Sequence, residues 1–227
     1  MKNDEDLPNN VDWIKVAGKE KLATKNYVPG NSVYGEHLQK SSTHEFRIWD
    51  PYRSKLAACI INGMKNIPFT SGSTILYLGS STGTTPSHVS DIVGKDGLLF
   101  CVEISSRVAR DFIDNVVSFR NNIIPIIADA HNIDSYTSIF RNIDSVYCDI
   151  SQPDQTDIAI SNCKEFLSSG SQLLLVIKSR SIDTTKSPKS IYEQEMTKLE
   201  SSGFDIDQMI DLHPFDKDHA LIMATMR

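Results

Sequence analysis

From residue 50 onward, short apolar runs alternate with longer amphipathic stretches, until two apolar runs follow one another with no room for a helix between them. That ending constrains the fold most. The runs 206–212 and 220–226 are joined through His213-Pro214-Phe215-Asp216, too short for a parallel crossover, so the two strands are expected to be antiparallel. Ahead of them, apolar runs at 75–78, 98–102, 123–127, 145–148 and 173–177 are separated by helix-length stretches. A first helix carries Leu56, Cys59, Ile60, Gly63 and Met64 at helical spacing, with Asp50-Pro51 able to cap and open it. Ser105-Ser106 opens another. Further helices are expected near 135–140, 155–167 and 189–201. Strands spaced by helices imply right-handed crossovers and a parallel sheet covered on both faces. The expected fold is therefore α/β, with a mostly parallel, seven-stranded, Rossmann-like sheet whose last strand is antiparallel.

Before residue 46 the pattern differs. Short apolar pieces at 11–16, 26–28 and 32–36 are interrupted by polar residues, and Pro29-Gly30-Asn31 signals a turn. A small antiparallel β-rich domain is expected over 1–45, followed by the larger domain over 46–227.

Composition narrows the function classes. The chain has 227 residues, with 40% hydrophobic and 23% charged. No run approaches the ~18 apolar residues of a membrane span. The opening MKNDEDLPNN is acidic and polar, without the apolar stretch of a secretory leader, so a cytoplasmic chain with no membrane partner is expected. Cys59, Cys101, Cys148 and Cys163 are isolated and form no C-x-x-C pair, which leaves buried reduced thiols rather than a zinc or redox site. Nor do the histidines show metal-ligand spacing, so no metal is expected. Lysine and arginine number 23 against 29 acidic residues, a net charge of −6. Proteins that grip nucleic acid alone are usually basic.

In an open parallel sheet, ligands bind beyond the carboxyl ends of the strands. The run 75–78 ends in Gly79-Ser80-Ser81-Thr82-Gly83-Thr84-Thr85. Gly79 and Gly83 let the backbone approach a ligand, and the following helix presents free N–H groups. This is not G-x-G-x-x-G, so the dinucleotide fingerprint fails. Glu103 ends the next run and can accept both hydroxyls of a ribose. Asp129-Ala130 follows the third, placed to accept from an adenine amino group. Loop and acids together point to a nucleoside cofactor. Asp149-Ile150-Ser151-Gln152-Pro153 follows the fourth run and Lys178 the fifth, while Lys55 lies on the first helix and His219 opens the last strand. A 2′-hydroxyl is a poor nucleophile and needs oriented positive charge or a base. Two lysines meeting over one aspartate could supply it, although either lysine alone is more often a surface group.

A mostly parallel sheet closed by one antiparallel strand is the class I methyltransferase pattern. Within it, Arg47-Ile48-Trp49-Asp50-Pro51-Tyr52-Arg53-Ser54-Lys55-Leu56-Ala57-Ala58 closely resembles the entry to the catalytic domain of the fibrillarin family. So do Tyr77-Leu78-Gly79-Ser80-Ser81-Thr82-Gly83-Thr84-Thr85 followed by Ser87-His88-Val89-Ser90-Asp91, Asn121-Asn122-Ile123-Ile124-Pro125, Asp149-Ile150-Ser151-Gln152-Pro153-Asp154-Gln155 and Asp218-His219-Ala220. The likeness runs from about residue 45 to the end, and the architecture resembles the archaeal form. It implies an S-adenosylmethionine-dependent RNA 2′-O-methyltransferase, the catalytic subunit of the box C/D ribonucleoprotein, in which a guide RNA directs methylation of rRNA and, in archaea, of tRNA. Carried over by position, the catalytic set is Lys55, Asp149, Lys178 and His219. The cofactor set is Thr84, Thr85, Glu103, Ile104, Asp129, Ala130, Asp149, Ile150, Ser151 and Gln152. Ile104 stands where the family often has an aromatic residue. The implied partners are the box C/D guide RNA with its target RNA, a coiled-coil scaffold subunit and a kink-turn-binding protein. Two alternatives remain at this point: another methyltransferase on the same fold, or a degenerate one that serves only in assembly.

Overall fold

The computed structural model describes residues 7–139 and 142–227. Its main sheet has seven strands: β5 (Thr74–Leu78), β6 (Leu98–Glu103), β7 (Ile123–Ile127), β8 (Ser145–Cys148), β9 (Gln172–Lys178), β10 (Phe204–Asp211) and β11 (His219–Met226). They lie in the order β10-β11-β9-β8-β5-β6-β7. β5 to β9 pair in parallel, and β11 runs antiparallel to both its neighbours, as the short final connection requires. The order runs outward from β5 in two directions, through β6 to β7 and through β8 to β9. A crevice therefore opens at the carboxyl ends of β5 and β8.

The central runs are apolar throughout because both faces are covered. In β5, Ile75 and Tyr77 pack into one core while Leu76 and Leu78 pack into the other. β9 divides likewise, with Leu174 and Val176 on one side and Leu173, Leu175 and Ile177 on the other. The first core is covered by α1 (Lys55–Ile61), α2 (Thr84–Val93) and α3 (Ser106–Asn115), the second by α4 (Gln155–Phe166) and α6 (Pro188–Ser201). Among the described residues no helix is long and apolar enough to cross a membrane.

Several local expectations are corrected. Asp50-Pro51 forms a turn, and α1 starts only at Lys55, where the Ser54 hydroxyl accepts from Ala57 N–H at 3.4 Å. Gly63 and Met64 lie beyond its end. The expected helix near 135–140 is a pair of 3₁₀ turns, Ile133–Ser135 and Thr137–Ile139, and Phe140 lies outside the described residues. The single-turn α5, Ser179–Ile182, had no sequence signal.

The N-terminal part is an antiparallel sheet of β1 (Val11–Val16), β2 (Lys19–Lys25), β3 (Leu38–Lys40) and β4 (Glu45–Ile48) in the order β1-β2-β4-β3. The pieces 26–28 and 32–36 are loops rather than strands. β2 escapes the alternation rule because Leu22, Ala23 and Thr24 are all buried. They lie where the small sheet meets α2, and Leu22 joins the first core of the main sheet.

A buried polar network fastens the two parts. Asp91 on α2 has a fully buried side chain. Its carboxylate takes Arg47 of β4 at 2.8 Å and Arg120 at 2.7 Å, and accepts from the Thr24 hydroxyl at 2.7 Å and Tyr27 N–H at 3.0 Å. Arg47 also reaches Glu36 at 2.6 Å and donates to the Ser87 hydroxyl at 2.9 Å. His88, equally buried, stacks on Trp49 with ring centroids 4.8 Å apart. The Thr24 hydroxyl gives its one proton to the Asp91 carboxylate, so His88 Nδ1–H donates to Thr24, and Nε2 accepts the Tyr34 hydroxyl proton at 2.7 Å in preference to the Ile48 carbonyl at 3.1 Å.

Burial, and then the charges of Arg47 and Arg120, depress the His88 pKa well below its ordinary value of about 6.5. Above that pH the imidazole is neutral in both folded and unfolded chains. Below it the unfolded chain binds a proton that the folded chain refuses, so stability falls on acidification. The unfolding free energy is expected to fall between pH 6.5 and 5.5 by up to about 1.4 kcal/mol per pH unit from this group, and the thermal midpoint to fall with it. Thermal scans across that range check it. A His88→Gln variant should show a shallower slope; an identical slope would contradict the assignment.

Candidate active site

A cleft of about 300 Å³ opens at the carboxyl ends of β5, β6, β7 and β8. Of the residues expected from the sequence, Gly79, Glu103, Ile104, Asp129, Ala130, Asp149, Ile150, Ser151, Gln152 and Lys178 line it. Gly79 has φ +85°, and a Cβ there would stand 2.7 Å from the Asp149 carbonyl oxygen. Only glycine lets the loops after β5 and β8 meet so closely.

Glu103 holds the rim through its backbone neighbours. One carboxylate oxygen accepts from Ser81 N–H and the other from Ser105 N–H, both at 2.9 Å. Each oxygen keeps a lone pair for a ligand hydroxyl. Ile104 is 61% exposed although large and apolar, and it lies on the cleft wall. An exposed apolar side chain beside two acceptor carboxylates suits a purine ribonucleoside, with an apolar face for the ring and acceptors for ribose and amino group.

Gly83, Thr84 and Thr85 do not line this cleft. Gly83 (φ +92°) precedes α2, and a Cβ there would meet the Phe112 ring at 2.5 Å, so its small size serves the packing of α2 on α3. Thr84 opens α2. Thr85 is buried and donates to the Ser54 hydroxyl at 2.9 Å, tying α2 to the cap of α1.

The four expected catalytic residues fall into one chain of contacts. Lys55 Nζ lies 3.2 Å from Asp149 Oδ2, and Lys178 Nζ lies 2.8 Å from Oδ1. The Lys178 contact with Oδ1 is ionic, for its N–H groups are directed instead to the Asp149 carbonyl and the Ser151 hydroxyl, both at 2.9 Å. Lys55 Nζ also stands 4.0 Å from Asp216 Oδ2, and Asp216 Oδ1 is 2.9 Å from His219 Nδ1. His219 Nδ1 is also 2.8 Å from the Lys217 carbonyl, which can only accept. The ring proton is therefore on Nδ1, and Nε2 is the nitrogen able to accept. Burial opposes ionisation of Asp216, but the His219 hydrogen bond and the surrounding positive charge, that of Lys55 and Lys178 included, together outweigh it and hold the carboxyl below its ordinary range. Lys55, Asp149 and Lys178 are partly shielded from water, at 23%, 13% and 12% exposure of their side chains.

Two residues of the site were not singled out in the sequence. Asp216 stands between Lys55 and His219. His131 lines the cleft and bridges Asp129 at 2.8 Å and Asp154 at 2.9 Å. The hydrogen bond to Asp129, then that to Asp154, raise the His131 pKa. Only its spacing from Asp129 was visible. Among the described residues no group of histidine, cysteine and acidic side chains could hold a metal, and all four cysteines are free and buried.

Residues 3–227 match the family model described as Fibrillarin. The chain belongs to the fibrillarin family. A fibrillarin-like rRNA/tRNA 2′-O-methyltransferase of Sulfurisphaera tokodaii is 49% identical over 207 residues, spanning 91% of this chain and 88% of that protein. An Aeropyrum pernix fibrillarin with natively bound S-adenosyl-L-methionine superposes with a TM-score of 0.88 at 42% identity, covering 95% of this chain and 94% of that one. The fibrillarin of a fibrillarin/Nop5p complex gives a TM-score of 0.88 at 33% identity, covering 98% and 100%. The fibrillarin fold thus extends through both sheets.

Proposed function

We propose that this fibrillarin-family chain transfers a methyl group from S-adenosylmethionine to the 2′-hydroxyl of ribose in rRNA and tRNA. The observation that carries this is the Lys55–Asp149–Lys178 cluster at the edge of the cleft lined by Glu103, Ile104 and Asp129. The name of the Sulfurisphaera tokodaii relative and the ligand of the Aeropyrum pernix fibrillarin support it. The bound cofactor supplies an electrophilic methyl on a sulfonium. Glu103 accepts from its ribose, Ile104 covers its purine ring, and Asp129 accepts from its amino group, with His131 fixing the Asp129 rotamer. Lys178 orients the 2′-hydroxyl and, once one ammonium proton has passed to water, accepts the hydroxyl proton as the new C–O bond forms and the methyl C–S bond of the sulfonium breaks. Asp149 holds the Lys178 nitrogen in place, and Lys55 balances the Asp149 carboxylate. His219 contacts the substrate at the rim, with Asp216 fixing its tautomer.

Loss of the Glu103 acceptor should weaken S-adenosylmethionine binding by about 1.5–3 kcal/mol, roughly 10- to 150-fold. Calorimetry on Glu103→Ala measures it, with Ser81→Ala as a control for disturbance of the loop. Unchanged affinity in Glu103→Ala would remove Glu103 from the cofactor site.

The same reading places the chain in a guide-RNA particle, with a coiled-coil scaffold and a kink-turn-binding protein as partners. Its support is the fibrillarin/Nop5p complex and the net charge of −6, which gives little non-specific RNA affinity through counterion release. A guide supplies sequence choice by base pairing, and a scaffold supplies proximity. Methyl transfer by the lone chain is expected to be weak and unselective, and to become efficient at one nucleotide once scaffold, kink-turn protein and guide RNA are added. Efficient site-specific methylation by the chain alone would overturn this part.

A further inference from the structure

The proposed chemistry does not use Tyr52. This residue lies in the turn between β4 and α1, three positions before Lys55, and is 70% exposed. A single exposed aromatic is ordinary on a protein surface, so its setting decides what it can do. The backbone beneath it is fixed: Tyr52 N–H donates to Asp50 Oδ1 at 2.9 Å, and Arg53 N–H donates to the Asp50 carbonyl at 3.1 Å. The ring makes an edge-to-face pair with Phe215, centroids 5.2 Å apart at 75°. Phe215 in turn is partly buried against the first core of the main sheet. A backed aromatic side chain presents a surface whose ordering cost is already met in the free protein.

The position relative to the reacting group is equally defined. Phe215 is followed by Asp216, whose carboxylate touches both Lys55 and His219. The aromatic pair therefore borders the Lys55–Asp149–Lys178 cluster, on the side of the β10–β11 connection. The exposed Arg53 adjoins it, its guanidinium 5.3 Å from the Tyr34 ring centre. An open aromatic ring next to an arginine and a lysine is the composition of a single-strand RNA contact, where bases stack on the ring and cations meet the backbone. A protein partner would be a poorer match for the same patch, since Phe215 behind the ring is followed by Asp216, which touches Lys55 and His219 of the site that must receive the ribose.

We infer that Tyr52 is a positioning residue for the RNA, its ring stacking on the acceptor nucleotide's base or that of an immediate neighbour while Phe215 backs it. The inference rests on the function proposed above. It is tested in the assembled particle with guide RNA, comparing wild type, Tyr52→Ala and Tyr52→Phe on an intact acceptor RNA and on three RNAs made abasic at the acceptor, its 5′ neighbour or its 3′ neighbour. Tyr52→Ala should raise the KM for intact RNA by about 5- to 100-fold with kcat changed far less. Tyr52→Phe should restore the wild-type KM, because stacking needs the ring and not the hydroxyl. One abasic RNA should show the same loss with wild type and no further loss with Tyr52→Ala. An unchanged KM in Tyr52→Ala, no rescue by phenylalanine, abasic effects that multiply with the substitution, or loss of scaffold binding in Tyr52→Ala would each overturn it. If wild type fails to methylate the intact RNA, the proposed function itself fails and this inference with it; failure confined to the Tyr52 variants counts against the stacking alone.

Discussion

Lys178→Ala is expected to lower the single-turnover rate of methyl transfer by about 10²–10⁴-fold while S-adenosylmethionine still binds. The expectation follows from geometry. Lys178 Nζ is held by the Asp149 carbonyl, the Ser151 hydroxyl and the Asp149 carboxylate, all within 2.9 Å, and it lines the cleft wall. A nitrogen so fixed can meet a hydroxyl with little loss of freedom at the moment of reaction. Removing it takes away both orientation and proton acceptance, but no contact proposed for the nucleoside. Rapid-quench assays with saturating cofactor separate the chemical step from binding. A rate within a few-fold of wild type would return Lys178 to a structural role.

Asp91→Asn is expected to destabilise the fold by about 3–5 kcal/mol, the usual cost of breaking a buried ion network by removing one partner. In the native chain the charges of Arg47 and Arg120 are matched by Asp91 and Glu36. Without the Asp91 charge, two buried guanidinium groups are left with one carboxylate. Arg120 suffers most, because burial already depresses its pKa and Asp91 is the charge that offsets this. For a chain of this size the loss corresponds to a fall in thermal midpoint of roughly 6–20 °C. Calorimetric scans at pH 7 measure it. A shift under a few degrees would mean that the small sheet is held to α2 by apolar contact alone.

The main sheet was legible because its signals are local. Leu173 to Ile177 can be apolar at every position only in a strand covered on both faces, and the short connection after residue 212 fixes the direction of β11. Glu103, Asp129 and Asp149 were legible for the same reason, since each follows an apolar run directly. What stayed hidden depends on distant partners. The role of Asp91 is set only by β2, β4 and Arg120 closing around it. His131 gains its place from Asp154, 23 residues away. Gly83 looked like part of a ligand loop, yet the nearest demand on it comes from Phe112. Asp50-Pro51 offered a plausible helix start, but Ser54 supplies the cap, because the turn before it carries Tyr52 outward and delivers Lys55 to Asp149.

The most direct measurement is methyl transfer from labelled S-adenosylmethionine to a guide-paired RNA, in the assembled particle, beside the same RNA carrying a single 2′-deoxy substitution at the acceptor. The predicted result is label on the 2′-oxygen of one nucleotide in the first RNA and none in the second. Label retained on the deoxy RNA, or none on either, would contradict the assignment of this chain as a ribose 2′-O-methyltransferase.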